Sequence, residues 1–262
     1  MTRSRDGVEL AFDVHPSRGD LHNTTVVLVH GWLGNRTYWD SQIEVLTQGY
    51  DVIALDLGGH GESGSGRADW TLTAFGDDVL AVIEAGAEPR VILVGHSMGA
   101  DAVTFAAREL GPVVEGLVWI DGFRSLGDEQ PSPPDAVAAF VAPFRDDFDA
   151  AIDRFVARLL PNTADPVLTE RVAVDMKSAR RDVAIGSIGY ALNREPAILA
   201  ALSEVEAPVV ALNPADGSSD PDALRRYGVD LVLLDGVGHF PMLEDPAMLG
   251  RVLTSTLASF GG

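Results

Sequence analysis

Val91-Ile92-Leu93-Val94-Gly95-His96-Ser97-Met98-Gly99-Ala100 is the stretch whose reading decides the fold. Four consecutive β-branched or large apolar residues read as a strand buried on both faces. A helical pattern begins directly after the glycines, at Ala100-Asp101-Ala102-Val103. Between strand and helix stands G-x-S-x-G, with Ser97 at its centre. A strand turning sharply into a helix holds its middle residue in a strained conformation and pushes that side chain out above the sheet edge. Small residues two positions to either side avoid a collision, and Gly95 and Gly99 occupy those positions. The turn also aims the Met98 amide and the helix N-terminus at one point, where a developing oxyanion is stabilised. In a chain with 27 glycines the motif alone says little. Strand, elbow and helix in this order make it specific.

Upstream, Val8 to Val14 alternates apolar and polar, as an edge strand with one wet face does, and Pro16 to Asn23 is a turn-rich link. Thr25 to His30 reads as a second buried strand running into Gly31-Trp32-Leu33-Gly34-Asn35. Tyr38 to Leu46 has helical spacing. Asp51 to Asp56 is the next strand, followed by a loop rich in glycine. Leu72, Phe75, Val79, Val82 and Ile83 mark one apolar stripe of a helix. Downstream of the elbow, Val114 to Ile120 is a strand stopped by Asp121-Gly122. From Phe123 the rhythm changes to a proline link at Pro131, Pro133 and Pro134 and then amphipathic helices to about Tyr190. The strand-helix alternation returns with Ile198 to Leu202, Pro208 to Asn213 and Val229 to Leu234. It ends in the loop Gly236-Val237-Gly238-His239-Phe240 and a helix around Leu249 to Leu257. Repeated strand-helix units imply a mostly parallel, doubly wound sheet. A helical insertion after Ile120 overhangs the strand C-termini, where open α/β sheets keep their sites.

Composition narrows the function. The 262 residues suit one large α/β domain, with 46% hydrophobic and 22% charged residues. There is no cysteine, which excludes disulfides, thiolate metal sites and a Cys nucleophile. The net charge of −20 makes phosphate backbones and anionic lipid poor partners, so neither nucleic acid nor membrane is expected. Such a surface serves solubility, and it also fits a saline environment. No apolar h-region or membrane-spanning run stands out, which makes the cytoplasm the default location. No His/Asp/Glu cluster has metal-ligand spacing, and Gly58-Gly59-His60-Gly61 lacks the Lys-Ser/Thr ending of a phosphate loop. No cofactor is expected.

Four motifs then stand in order: His30-Gly31-Trp32, Asp56-Leu57-Gly58-Gly59-His60-Gly61-Glu62-Ser63, Gly95-His96-Ser97-Met98-Gly99, and Gly238-His239-Phe240-Pro241-Met242-Leu243-Glu244. With them the chain resembles the α/β-hydrolase superfamily nearly end to end, and within it small bacterial serine hydrolases with a short helical cap. The resemblance implies an α/β-hydrolase fold with the cap inserted after the sixth strand. Residues 1–122 and 196–262 would form the core domain and residues 123–195 the cap.

The chemistry follows residue by residue. Ser97 is the candidate nucleophile, against the alternative of a helix-capping serine. His239 is the candidate general base, in the loop where the resemblance places that histidine; an imidazole titrating near ~6.5 accepts and returns a proton at neutrality. His15 and His22 read as solvated, His96 as fixed beside the elbow and pointing away from Ser97, and His30 and His60 as loop histidines bonded to backbone. Some relatives with this cap carry the triad acid where Asp121 stands, and most of the superfamily carry it after the next strand, near Asp216. The usual register there places the acid one residue later than Asp216, so Asp121 is preferred and Asp216 is the alternative. The Trp32 and Met98 amides would form the oxyanion hole. Phe140, Phe144, Phe148 and Phe155 read as cap core, with one or two free to face the site.

The expectation is a metal-independent, carboxylesterase-like serine hydrolase acting on a small, largely apolar ester. Its partner is a small-molecule substrate, with monomer and homo-oligomer both open. Alternatives on the same scaffold are an inactive ligand-binding protein, a C–C hydrolase, an acyltransferase or a cofactor-free oxygenase. Haloalkane dehalogenation is disfavoured, because it needs an Asp where Ser97 stands.

Overall fold

The three most apolar runs of the chain lie side by side at the centre of a seven-stranded sheet. The computed structural model describes residues 1–19, 24–86, 88–127 and 132–260. The sheet is built from β3 (Phe12–His15), β4 (Thr25–Val29), β5 (Asp51–Leu55), β6 (Val91–His96), β7 (Val114–Ile120), β8 (Val209–Pro214) and β9 (Val229–Leu234), in the order β3-β5-β4-β6-β7-β8-β9. All neighbours run parallel except β3, which pairs antiparallel with β5 at the edge. β4 shows why both faces are covered. Val27 and Val29 enter one core cluster, Val26 and Leu28 the other, each of them fully buried. Burying one such side chain contributes ~1.5–3 kcal/mol. An aspartate at Val27 would strand a charge in the centre of the sheet.

One face is covered by α2 (Leu72–Gly86), α3 (Met98–Leu110) and α8 (Glu195–Leu202). The other is covered by α1 (Asp40–Leu46) and α11 (Pro246–Ala258). Between β7 and β8 the chain forms α4 (Pro134–Asp146), α5 (Phe148–Leu159), α6 (Pro166–Ser178) and α7 (Arg181–Ala191), then α8, which packs on α3. Proline at or near the first turn starts α4, α6 and α8, where its missing N–H costs nothing. Asp147 caps α5 by accepting from the Ala150 amide. The insertion thus follows the fifth strand of the large sheet.

A two-stranded ribbon at the N-terminus corrects one expectation. Val8 to Val14 does not make a single edge strand. β2 (Glu9–Leu10) pairs with β1 (Thr2–Arg3), and only β3 joins the large sheet. The loop after β5 takes the backbone groups between them: the Asp56 amide donates to Ala11 O, the Gly64 amide to Glu9 O, and Ser63 Oγ accepts from the Ala11 amide. Ile198 to Leu202 lies in α8, and Arg36–Trp39 forms a 3-10 turn leading into α1. His22, Pro131 and the end of the 16–23 link lie outside the described residues.

Candidate active site

The elbow between β6 and α3 has the strain its glycines foretell. Ser97 takes φ 52 and ψ −117, a conformation that costs an L-residue ~1–3 kcal/mol. A Cβ on Gly95 would stand 2.3 Å from Gly99 O, and one on Gly99 would stand 2.5 Å from Val29 O. Neither position admits a side chain without moving backbone. The Ser97 amide donates to Ile120 O at 3.0 Å, tying the elbow to β7.

Asp121 follows the last residue of β7, and the structure brings it to His239. The imidazole Nδ1 donates to Asp121 Oδ2 at 2.6 Å. That bond fixes the tautomer and leaves the Nε2 lone pair free for a proton. Asp121 is itself held at φ 43, a region that Asp tolerates better than most residues. Its amide donates to Leu212 O at 3.0 Å. Burial favours the neutral acid, yet hydrogen bonds and charge from His239 and Arg124 outweigh it and hold the carboxyl down at about 2. Arg124 donates Nε and Nη2 to Asp121 Oδ1 and Oδ2, each at 3.0 Å. Its Nη1 donates to Asp216 Oδ2 at 2.7 Å. Asp216 therefore meets Arg124 and not His239, and it stands half exposed in a turn that also receives the Ser218 amide.

Ser97 sits where two cavities meet. The larger, about 620 Å³, is lined by Ser97, Asp121, Arg124, Arg158, Arg194 and His239 among others. The smaller, about 120 Å³, is lined by Ser97, Trp32, Met98, Phe140, Phe155 and Ile188 among others. Ser97 and His239 share the larger cavity, with no hydrogen bond between their side chains among the described residues. Such contacts tighten when substrate binds. Trp32 and Met98 share the smaller one. No acceptor for either amide occurs among the described residues, which leaves two donors beside Ser97. The Trp32 ring also staples the insertion to the sheet. Its Nε1 donates to Ser187 Oγ at 3.1 Å, and its ring stands nearly perpendicular to those of Phe144 and Phe155. Of the four phenylalanines expected to form the cap core, Phe140 and Phe155 line the small cavity, while Phe144 and Phe148 are buried in the core.

Residues 26–251 match the Alpha/beta hydrolase family. The chain belongs to that family. A pimeloyl-[acyl-carrier protein] methyl ester esterase of Neisseria meningitidis is 26% identical over 230 residues, covering 84% of this chain and 87% of the relative. Human Protein ABHD8 is 32% identical over 108 residues, covering 40% of this chain and 25% of the relative, so the match spans about a quarter of that protein. Among solved structures, a thermophilic esterase from Thermogutta terrifontis is 24% identical with TM-score 0.80, covering 99% of this chain and 97% of its own. An esterase from Exiguobacterium antarcticum is 19% identical with TM-score 0.82, covering 98% of each chain. These likenesses show the α/β-hydrolase fold.

Within this α/β-hydrolase the rings of His30, His60 and His96 have backbone partners. His30 Nδ1 donates to Gly31 O at 2.8 Å while its Nε2 accepts from the Leu57 amide, and His60 Nδ1 donates to Gly58 O at 3.0 Å. His96 Nε2 donates to His239 O at 2.7 Å, and burial pushes the His96 imidazole down to about 3, so it stays neutral. No group of three or more His, Cys, Asp or Glu placed to hold a metal occurs among the described residues, and no helix is long and apolar enough to cross a membrane. Sequence reasoning missed Arg124, Arg194 and Glu244. Arg194 pairs with buried Asp101 at 2.7 Å and lies over the Phe123 ring, lining both cavities. An arginine in a loop carries no sequence signal of such a partner. Glu244 did carry one, since Pro241 followed by an acid within a turn marks a helix start.

Proposed function

We propose that this α/β-hydrolase is a serine carboxylesterase with Ser97 as nucleophile, His239 as general base and Asp121 as the acid that orients it. The observation that carries the reading is the 2.6 Å Asp121–His239 bond opening on the cavity that also holds the strained Ser97. His239 Nε2 takes the Ser97 Oγ proton as Oγ bonds to the ester carbonyl carbon. The carbonyl oxygen, now an anion, accepts from the Trp32 and Met98 amides. Collapse breaks the bond to the leaving oxygen, which takes the proton from His239 Nε2. Water then enters, gives its proton to His239 and attacks the acyl-enzyme, and Ser97 regains its proton as the carboxylic acid departs.

The two cavities divide the substrate. The leaving oxygen must receive a proton from His239, and His239 lines the larger, polar cavity, so the alcohol portion belongs there. The carbonyl oxygen must face the Trp32 and Met98 amides, so the acyl chain belongs in the small apolar one. At about 120 Å³, the small cavity suits a short acyl chain. The helical insertion, residues 123–195, acts as the cap that closes both.

The relatives' esterase activities fit this reading. A fluorophosphonate probe tests it, followed by nitrophenyl esters of graded acyl length. Covalent labelling lost in Ser97→Ala, with acetate to butyrate cleaved faster than octanoate, is the expected result. A folded protein that neither labels nor cleaves any ester overturns the enzyme in favour of a ligand-binding protein.

A further inference from the structure

The Glu244 carboxylate is spent on neither substrate nor an arginine. Glu244 Oε2 accepts from the Gly238 amide at 2.8 Å, and Oε1 accepts from the Phe240 amide at 2.8 Å. The amides of the residues before and after His239 are thus bridged by one side chain from α10 (Pro241–Glu244). The His239 backbone has two further ties, its amide to Leu159 O at 2.9 Å and its carbonyl to His96 Nε2 at 2.7 Å. All four polar groups lie around one residue, in a loop with glycine at 236 and 238. At Gly238 a Cβ would stand 2.7 Å from Leu159 O, so no larger residue could stiffen the chain there.

We propose that Glu244 is a positioning residue, whose ionised carboxylate holds the His239 loop so that the imidazole meets Asp121 on one side and Ser97 on the other. The role rests on the serine-esterase reading for its kinetic consequence, but the geometry it sets does not. An ionised carboxylate accepts strongly with both oxygens, so it bridges two N–H donors better than the neutral acid does. An amide in its place keeps one acceptor and turns an NH2 group on the other amide. The loop would then swing, and a displacement of ~1 Å at a catalytic group costs up to ~10² in rate. The charged groups facing Glu244 are His239 and Asp121, and burial raises its own carboxyl above the ordinary value while the two amide bonds oppose that rise. His96, which packs against the His239 ring, is neutral.

The test is Glu244→Gln, read three ways in the full-length protein. Expected are a 10- to 100-fold loss of kcat on the best nitrophenyl ester, KM within twofold, and loss of the far-downfield proton resonance of the His239 Nδ1–Asp121 bond. A role confined to stability would lower Tm and leave all three unchanged in the folded protein; kcat within threefold with the resonance intact overturns the proposal. The resonance needs no turnover. If the parent cleaves nothing but Glu244→Gln still loses the signal, the esterase reading fails and the clamp stands. If Glu244→Gln does not fold, Glu244→Asp replaces it. That side chain keeps the charge, but its shorter reach spans only one amide, and parental kcat there overturns the proposal equally.

Discussion

Replacing Asp121 by Asn tests the arrangement of the site at its most informative atom. The change keeps the shape and removes one acceptor oxygen from a carboxylate that receives His239 and both arms of Arg124. The Asn oxygen is drawn to Arg124, which offers two donors, and the NH2 group then faces His239 Nδ1. The ring answers by placing its proton on Nε2, where it cannot accept from Ser97. Two losses follow. The 2.6 Å bond, charge-assisted once the imidazolium forms, is worth ~1.5–3 kcal/mol. The counter-charge is worth ~4 kcal/mol at 4 Å and an effective dielectric of ~20. Arg124 already offsets part of that charge, so the combined effect on the barrier is ~3–5 kcal/mol, or ~10²–10⁴ in kcat. Asp216→Asn should change kcat less than threefold, because Asp216 reaches only Arg124 and its own turn. Both variants are assayed on one ester with matched Tm. Asp121→Asn within tenfold of the parent would refute the reasoning, and a crippled Asp216→Asn beside a normal Asp121→Asn would move the acid to Asp216.

Acid stability follows from the buried histidines. Burial lowers His30 and pushes His60 and His96 down to about 3, so the unfolded chain takes protons below pH ~6.5 that the folded one refuses. Stability present above pH ~6.5 is lost as pH falls toward 3; buried Asp101, pushed up to about 6, runs the other way between ~6 and ~4. The urea midpoint should fall between pH 7 and 4.5 by the equivalent of ~3 kcal/mol, and a level midpoint counts against buried neutral imidazoles. Trp32→Ala should cost ~3–5 kcal/mol and shift the acyl preference to longer chains, since the ring both staples the insertion and walls the small cavity. An unchanged chain-length profile would place the acyl group elsewhere. Raising sodium chloride from low salt to several tenths molar should raise Tm, because a net charge of −20 repels itself in the compact state and ions screen it. A Tm that holds level rules self-repulsion out as a significant term.

The sheet, its winding and the elbow were legible in the residues alone, because those depend on local patterns. Apolar runs such as Val26 to Val29 pack wherever both faces are covered, and Gly95 and Gly99 are demanded by backbone distances inside one turn. The sequence also placed Ser97, His239, Asp121 and Asp216 at strand ends and in loops. Which aspartate meets His239 was decided only in three dimensions. Asp121 and Asp216 follow neighbouring parallel strands, so both arrive at the same edge of the sheet. The positive φ at Asp121 turns its carboxylate toward His239, and Arg124 fills the space between it and Asp216. The ribbon at residues 2–10 and the Glu244 clamp were likewise settled by partners distant in sequence or hidden in a loop, as backbone groups of Ala11, Gly238 and Phe240 found their acceptors and donors. A periodic pattern reports which face of an element is buried, but a hydrogen bond to one particular atom is fixed only when the whole chain has folded.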